Sequence, residues 1–458
     1  MYQINFNKPV KIHFMGIGGI SMSGLAEILH AKGFTVVGSD AHESAITDHL
    51  ASLGIQIAYG QRAENITPDI DVVVYTAAIH PDNPEFAAAK SAGLPMMDRA
   101  ELLGQIMTNY TNAIAVSGTH GKTTTTSMLS HILLAADTDP TISVGGILKA
   151  IHGNIRVGHS DNFITEACEY TNSFLKFNPS LEIILNIEED HLDFFKDIND
   201  IRHSFRKFAE KLDADDILVI NGEISHVSEI TDGLPCHIIT YGLKPECDYA
   251  AENITFDEFA KGSFDLIAYG KKIDHIQLNV AGIHNVSNAL AAIASARELH
   301  IPMDIIKKGL MAFDGTDRRF EYKGQFNGVT VIDDYAHHPT EIKATLTAAQ
   351  KYPHRQIWCV FQPHTYTRTK AFFHEFADAL SLADKIVLAD IYAARETDPG
   401  DIHSRDIQKL LLEKGKEAYY FPSFEEIEKF LREKCINGDL LITMGAGDVV
   451  LVGEALIK

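Results

Sequence analysis

Positive charge is what this sequence has least of. Its 458 residues carry 40 Lys and Arg against 62 Asp and Glu, a formal charge of −22. That balance excludes a general binder of polynucleotides, whose phosphate backbones demand a Lys/Arg surplus. It also speaks against docking on an anionic membrane. Anionic small ligands stay open, because they need only local charge or backbone N–H groups. Cysteine is scarce as well: Cys168, Cys236, Cys247, Cys359 and Cys435 are scattered, odd in number and without a C-x-x-C pair. They read as free thiols of a reducing cytoplasm and not as a disulfide framework. No apolar run approaches the ~18 residues of a membrane span. Residues 1–9 lack a basic segment leading into an apolar one, so no secretion signal is expected. Repeats of fixed period and low-complexity tracts are missing, which sets aside solenoids and disordered tails. What is present is an ordinary globular composition, 45% hydrophobic and 22% charged. At about 150 residues per domain the length suits three domains. The expectation is a cytoplasmic, multidomain protein.

Strand and helix signals alternate through the first hundred residues. Residues 11–15, 34–38 and 72–76 read as strands and 23–32 as a helix, which implies a parallel sheet covered on both faces. A second unit opens at Asn112, with a strand at 113–116, a loop at 117–122 and a helix at 123–136. Strands at 163–166 and 182–186 follow. A third unit starts near Tyr322, with strands at 329–333, 356–361, 385–389 and 440–444 and helices at 341–350 and 370–382.

The sharpest motif is Ser117-Gly118-Thr119-His120-Gly121-Lys122-Thr123-Thr124, set between a strand and a helix. That context suits a phosphate-binding loop: glycines turn N–H groups toward a phosphate, Lys122 supplies charge, and the Thr123 hydroxyl offers a Mg²⁺ ligand. Val116 stands where the fullest form of the motif has its first glycine; the bland alternative is a glycine turn with a surface lysine. An N-terminal loop, Gly16-Ile17-Gly18-Gly19, lacks the third glycine of a dinucleotide fingerprint, having Ser21 there, and Asp40 ends the next strand. An NAD site, another nucleotide site and a structural turn all stay open for it. Glu166 and Glu169 follow one strand, and Asn186, Asp190, His191 and Asp193 another, as a candidate Mg²⁺ ligand set beside the phosphate loop. The competing view is a solvated acidic turn. Two polar clusters, from Asp333 to Glu341 and from Gln362 to Arg368, sit at strand ends, where open α/β sheets bind ligands. His337 and His338 lack the third partner a zinc site requires. Arg318-Arg319 reads as a surface pair or as a phosphate clamp between domains.

Taken in order along essentially the whole chain, these motifs resemble the ATP-dependent Mur ligases of bacterial peptidoglycan synthesis. The carriers are the 13–24 glycine segment, the 117–124 loop, the 186–193 acidic segment, His284-Asn285, Arg318-Arg319-Phe320 and the two late clusters. The resemblance implies an α/β protein of three domains. Residues 1–107 would form a Rossmann-like domain for a UDP-sugar, 108–321 a central ATPase domain with a mainly parallel sheet, and 322–458 a second Rossmann-like domain that closes over the site and holds an amino acid. It implies ATP contacts at Gly118, Thr119, His120, Gly121, Lys122, Thr123, Thr124, His284, Asn285 and Arg319. UDP-sugar contacts would come from Gly16, Gly18, Gly19, Asp40, Thr76 and Arg99. Thr123, Glu166 and His191 would hold metal, two Mg²⁺ in all. Tyr335, His337 and Arg368 would hold the amino acid, with Lys122, His337 and Arg368 closest to the chemistry. The implied reaction joins L-alanine to UDP-N-acetylmuramate through an acyl phosphate, releasing ADP and phosphate, in a monomer or homodimer without nucleic acid or membrane. The chain departs from the family pattern at Cys168, Tyr170 and Thr171, where many members are acidic or carry serine, and at Thr365, where many carry arginine. Within the family the alternative is a ligase that recycles murein tripeptide. Outside it, the alternatives are an NAD(P)-dependent oxidoreductase built on residues 16–19 and a nucleotide-dependent switch.

Overall fold

The computed structural model describes residues 2–76, 78–394 and 396–458. Its strands form three sheets, each in its own stretch of chain. The first contains β1 (Lys11–Met15), β2 (Thr35–Asp40), β3 (Gln56–Tyr59), β4 (Val72–Tyr75) and β5 (Met96–Asp98), all parallel, in the order β3-β2-β1-β4-β5. The chain leaves β1 in both directions, so the crevice at the carboxyl ends of β1 and β4 lies over the Gly16 loop.

The second sheet has ten strands: β6 (Asn112–Ser117), β7 (Thr141–Leu148), β8 (Gly153–Arg156), β9 (Asn162–Ala167), β10 (Leu181–Ile184), β11 (Ile217–Asn221), β12 (His237–Gly242), β13 (Tyr249–Phe256), β14 (Lys261–Ala268) and β15 (Lys271–Ala281). The order is β15-β14-β13-β12-β11-β10-β6-β9-β7-β8, antiparallel only where β7 meets β8 and where β13, β14 and β15 meet. Strand β6 lies between β10 and β9. Its inner residues Ala113–Val116 are apolar on both faces, as a strand covered on both sides requires. The phosphate loop therefore leaves a buried strand flanked by the two strands that carry the candidate metal ligands.

The third sheet holds β16 (Glu321–Phe326), β17 (Val329–Asp334), β18 (Ile357–Phe361), β19 (Lys385–Leu388), β20 (Glu417–Tyr420) and β21 (Leu440–Met444), in the order β16-β17-β21-β18-β19-β20. Only β16 runs antiparallel. Short β3 and β5 were not foreseen from the sequence; they carry three or four residues each and no long apolar run. The helix expected over 370–382 is two helices, Tyr366–Ala371 and Phe373–Leu380. Phe372 breaks them at φ −111° and ψ 30°, with its ring turned against His338 at 4.7 Å.

The first two units share one hydrophobic core. Leu102, Leu103 and Ile106 of the helix Arg99–Met107 belong to the same buried cluster as Phe174, Phe177 and Phe205 of the middle unit. Glycine allows the approach: a Cβ at Gly104 would stand 1.9 Å from the Lys176 carbonyl oxygen, and one at Gly24 1.5 Å from Ile155 Cδ1. The third unit has cores of its own. Its apolar contact with the middle unit is a small cluster of Ala260, Ala281 and Ala348 with Phe320 against it.

One buried carboxyl has no visible task. Glu182 on β10 is fully buried, and neither of its oxygens has a hydrogen-bond partner among the described residues. Burial pushes its pKa well above the ordinary 4.5, against the pull of the Lys211 amine, and so favours the protonated form in the folded chain. A carboxyl raised in the folded state stabilises fully below its unfolded pKa and less as pH rises toward the folded value. Glu182→Leu is therefore expected to gain roughly 1–3 kcal/mol at neutral pH, the scale of an unsatisfied buried polar group. The gain should shrink as pH falls toward 4.5. Urea unfolding at pH 5 and 8 measures both; a gain that does not grow between them would mean the carboxyl is not protonated on folding.

Candidate active site

The phosphate loop is held in shape by its own glycines and by one asparagine. Gly118 and Gly121 adopt φ of +139° and +84°, a region that side chains disfavour. A Cβ at Gly118 would also meet Leu185 Cβ at 2.9 Å, and one at Gly121 would meet Asn288 Oδ1 at 2.7 Å. Asn186, at the end of the strand next to β6, accepts the His120 N–H at 2.7 Å and donates to the His120 carbonyl at 3.0 Å. Thr119 Oγ1 accepts the Glu188 N–H at 2.9 Å. Lys122 opens the helix Lys122–Ala135 and folds back over the loop. It donates to the carbonyls of Gly118 and Thr119 and to Glu169 Oε2 at 3.0 Å. Burial works against its charge, but Glu169, Cys168 and Glu166 together more than offset burial and raise the Lys122 pKa. Thr123 Oγ1 donates to Glu166 Oε2 at 3.1 Å, and Glu166 Oε1 accepts the Gly145 N–H.

Glu169 was considered as a ligand in the sequence but given no role; the structure makes it central. One oxygen pairs with Lys122. The other is buried without a hydrogen-bond partner among the described residues, 3.9 Å from His191 Nε2. His191 has φ +52°, and its ring stacks on Tyr170 at 4.5 Å. Tyr170, at the position where the family pattern has serine, donates its hydroxyl to Asp193 at 2.8 Å. The orphaned oxygen and the oxygen-rich donor set suit a hard cation such as Mg²⁺.

A cavity of about 770 Å³ runs from this loop toward the third unit. His120, Gly121 and Thr124 line one side, His284, Asn285 and Arg319 another. His284 is solvent-accessible at the cavity wall, yet the surrounding protein desolvates its ring and, with Arg319 adding to the effect, brings its pKa down to about 4, so it is neutral. Asn285 is tied to the Ala281 carbonyl at 2.7 Å and to Asn288 at 3.0 Å. Arg318 and Arg319, adjacent in sequence, separate in role. Arg318 bonds Asp333 at 3.0 Å and the Gly445 carbonyl at 2.7 Å, an internal strut of the third unit. Arg319 faces the cavity, 3.7 Å from Glu341 Oε1 and over the Tyr335 ring at 5.2 Å. Phe259, Phe320 and Tyr352 form an aromatic wall that nothing in the motifs announced.

A second cavity, of about 580 Å³, lies on the other side of the acidic segment and takes in Asp190, His191, Tyr335, His364 and Arg368. Arg368 gives Nε and Nη2 to Asp190 Oδ1 at 3.1 and 2.9 Å, and its Nη1 lies 3.1 Å from His364 Nδ1. Burial would raise the Asp190 pKa; Arg368, with His191 and His338 adding to it, more than offsets this and holds the carboxyl well below the usual range. Thr365 sits at φ +65° and its hydroxyl accepts the Arg368 N–H, so the position where the family resemblance led to arginine serves here as a helix cap. His337 Nδ1 lies 3.0 Å from the Tyr335 carbonyl, an acceptor only, so this nitrogen carries the hydrogen and Nε2 keeps its lone pair. Burial brings the His337 pKa down to about 4, against the opposing pull of Glu341.

The acidic segment is not a solvated turn. It is the seam between the middle and third units: Glu188 accepts from Thr340 Oγ1 at 2.6 Å, the Glu189 carbonyl accepts from His338 Nε2 at 3.0 Å, and Asp190 holds Arg368. His120, Glu188 and His338 bring donor atoms within 4.8 Å of one another. His338 is already engaged at both nitrogens, giving Nε2–H to Glu189 and accepting the Thr340 N–H at 3.3 Å. That makes the trio a polar seam and not a metal centre.

The N-terminal loop departs from the expected cradle of glycine amides. The N–H groups of Gly16 and Ile17 both go to the Ser39 carbonyl at 2.9 Å, that of Gly18 to Asp40 Oδ2 at 2.8 Å and that of Gly19 to the Gly16 carbonyl. The glycines are there for close approach: a Cβ at Gly18 would stand 2.8 Å from Asp40 Oδ2, and one at Gly16 3.1 Å from Thr76 Cγ2. The groups left to face a ligand are the N–H of Ile20, Ser21 and Met22, the first turn of the helix Ile20–Ala31. Arg99 donates to Ser21 Oγ at 3.0 Å, at the same helix end.

Comparison with known proteins agrees with this arrangement throughout the chain. Three family models match in succession: Mur ligase family, catalytic domain, over residues 11–111; Mur ligase middle domain over 116–296; and Mur ligase, glutamate ligase domain, over 318–447. A UDP-N-acetylmuramate–L-alanine ligase of Agathobacter rectalis is 66% identical over 458 residues, covering all of both chains. One of Lachnoclostridium phytofermentans is 63% identical, again over the whole of both. The crystal structure of the UDP-N-acetylmuramate–alanine ligase of Thermotoga maritima superposes with a TM-score of 0.80 at 32% identity, covering 98% of each chain. A murein peptide ligase from Psychrobacter arcticus gives 0.70 at 26% identity, also covering 98% of each. With three family models in order and full-length relatives at this identity, the chain belongs to the Mur ligase family.

Proposed function

We propose that the chain joins L-alanine to UDP-N-acetylmuramate, using ATP and releasing ADP and phosphate. The observation that carries this is the pairing of two sites across one seam. Lys122 and Thr123 stand with Glu166 and Glu169 behind them on one side, and His337 and Arg368 stand on the other. The full-length relatives whose names state this reaction support the choice of substrates. Residues 1–107 bind the UDP-sugar, 108–321 the nucleotide, and 322–458 the amino acid.

A carboxylate is a poor acyl donor because oxide is a poor leaving group. An oxygen of the muramate carboxylate attacks the γ-phosphorus and ADP leaves. The alanine amine then attacks the acyl carbon, and the tetrahedral adduct expels phosphate. Transfer of the phosphoryl group requires placement and charge neutralisation, which Lys122 and Arg319 supply. The amine must arrive unprotonated, and neutral His337, with its Nε2 lone pair, takes the proton. Arg368 and Tyr335 orient the amino acid. Thr123, Glu166 and His191 are the residues that would hold Mg²⁺, and Glu169 lies among them. When bound, Mg²⁺ supplies charge screening between the γ-phosphate and the acceptor carboxylate. On the UDP-sugar side, the first-turn amides of Ile20–Met22 receive the diphosphate, with Asp40, Thr76 and Arg99 around it.

Phosphate release with ATP, Mg²⁺ and UDP-N-acetylmuramate tests the proposal, with alanine, glycine, serine or L-Ala-γ-D-Glu-meso-diaminopimelate added in turn. Alanine is expected to give the largest stimulation. A one-methyl pocket rejects glycine by only about 1–3 kcal/mol, so weak turnover with glycine is compatible. Stimulation by the tripeptide alone would overturn the proposal in favour of the recycling ligase.

A further inference from the structure

Glu341 opens the helix Pro339–Ala349, and its position suggests an ordinary cap: Oε2 accepts the N–H groups of His337 and His338 at 3.0 and 3.3 Å. A cap of this kind usually stands in water. This one has a side chain only 13% exposed, and a buried carboxylate is costly unless cations compensate it. Two cations, His120 and Arg319, compensate it, and neutral His337 lies against its other oxygen. Oε1 lies 3.3 Å from His120 Nδ1 of the phosphate loop and 3.7 Å from Arg319 Nη1, while Oε2 is 3.2 Å from His337 Nδ1. His120 in turn has Nε2 3.6 Å from Glu188. Burial opposes charge on this imidazole, yet Glu341 and Glu188 raise its pKa to about 9, so it is a cation at neutral pH. One carboxylate thus touches the nucleotide loop, the arginine facing the nucleotide cavity and a histidine that packs behind Tyr335 and His364 of the second cavity, ring to ring at 5.3 and 5.6 Å. A helix cap needs none of these contacts.

We propose that Glu341 is a positioning residue that couples the two sites: by docking on His120 it seats the third unit against the phosphate loop, and in doing so sets Arg319 and His337 together. The proposal rests on the functional reading above. In its terms, a nucleotide seated on the loop strengthens the existing His120–Glu341 contact, and Glu341 thereby holds Arg319 and His337 in place for the amino acid. Coupling of this kind is reciprocal: the nucleotide tightens alanine binding by the same factor by which alanine tightens the nucleotide.

Glu341→Gln tests it, because glutamine keeps the size and the cap-accepting oxygen and loses only the charge. Alanine affinity is measured with UDP-N-acetylmuramate present, with and without a non-hydrolysable ATP analogue, alongside kcat and both KM values. In the parent protein the analogue is expected to tighten alanine by roughly 10-fold or more, within the usual span of such couplings. In Glu341→Gln that factor falls to about one, kcat falls about as far, and nucleotide affinity without alanine stays within a few-fold. An unchanged coupling factor in a folded variant overturns the proposal. His120→Gln approaches the same contact from the loop and guards against misfolding of the first variant. The double variant should be no worse than either single, the sign of two groups acting through one contact; strictly additive losses would overturn the inference. If the parent protein shows no alanine-dependent phosphate release, the functional reading fails. If it does and the coupling survives Glu341→Gln, only the present inference fails.

Discussion

Lys122→Ala is expected to abolish alanine-dependent ADP release, with turnover falling by on the order of 10³-fold or more, the scale for withdrawing a cation from a transferring phosphoryl group. The same substitution leaves Glu169 buried beside Cys168 without its cation. Breaking a buried pair from one side costs about 3–5 kcal/mol of stability, so lost activity alone would be ambiguous. A second substitution separates the effects. Combining Lys122→Ala with Glu169→Gln removes the stranded charge and should recover most of the thermal midpoint while recovering none of the activity. Near-normal turnover in Lys122→Ala, or activity that returns together with stability in the double variant, would refute the assignment of Lys122 to the phosphates. Pre-steady-state ADP release with UDP-N-acetylmuramate but no alanine is the most direct readout, because it isolates the phosphoryl step.

Arg368→Ala should raise the KM for alanine by roughly 30-fold or more. That is the kinetic equivalent of the 2–5 kcal/mol associated with truncating one partner of a buried, hydrogen-bonded charge pair. Arg368 has two engagements, Asp190 on one edge and His364 on the other. An amino-acid carboxylate must share the guanidinium with Asp190 or displace it. Arg368→Lys keeps the charge but not the fork, so it should recover only part of the loss. Asp190→Asn gives the opposite perturbation: it frees the arginine, lowering the KM for alanine if the two carboxylates compete. A collapse of kcat in Arg368→Ala with an unmoved KM for alanine would show that Arg368 works only as a strut across the seam.

The phosphate loop was legible in the sequence because everything that forms it is local. A buried strand, two glycines with positive φ, Lys122 and a helix start follow one another within 117–124. The separation of Arg318 from Arg319 was not legible, since neighbours in a turn point apart and only tertiary contacts tell which meets Asp333 and which meets Glu341. Glu341 looked like the acidic residue of a helix start, and it is one, but its contact with His120 depends on how two units pack. The acidic segment 188–190 misled for a related reason: a charge run looks like a wet surface until the basic partners, here on a different sheet, are known. In the N-terminal loop the glycine spacing correctly marked a tight turn. It could not reveal that the Gly18 amide goes to Asp40, which changes which N–H groups remain for a ligand.

The hydrophobic core that the first two units share, from Ile4 through Cys236, sets what this architecture can exchange and what it cannot. Activation of the acid depends on a chassis without an internal joint; cutting it between the UDP-sugar unit and the nucleotide unit would expose a continuous apolar face. The unit that chooses the amine is attached differently, by a small apolar cluster of alanines and Phe320, the contact of Phe259 with Tyr352 and a line of polar contacts. Such a cartridge can be replaced, or drift in sequence, without disturbing the chassis, provided the replacement still presents partners for Glu188, Glu189 and Asp190. Chimeras cut near Gly315 should therefore keep acyl activation while taking on the donor's amine, whereas chimeras cut near Thr108 should fail to fold.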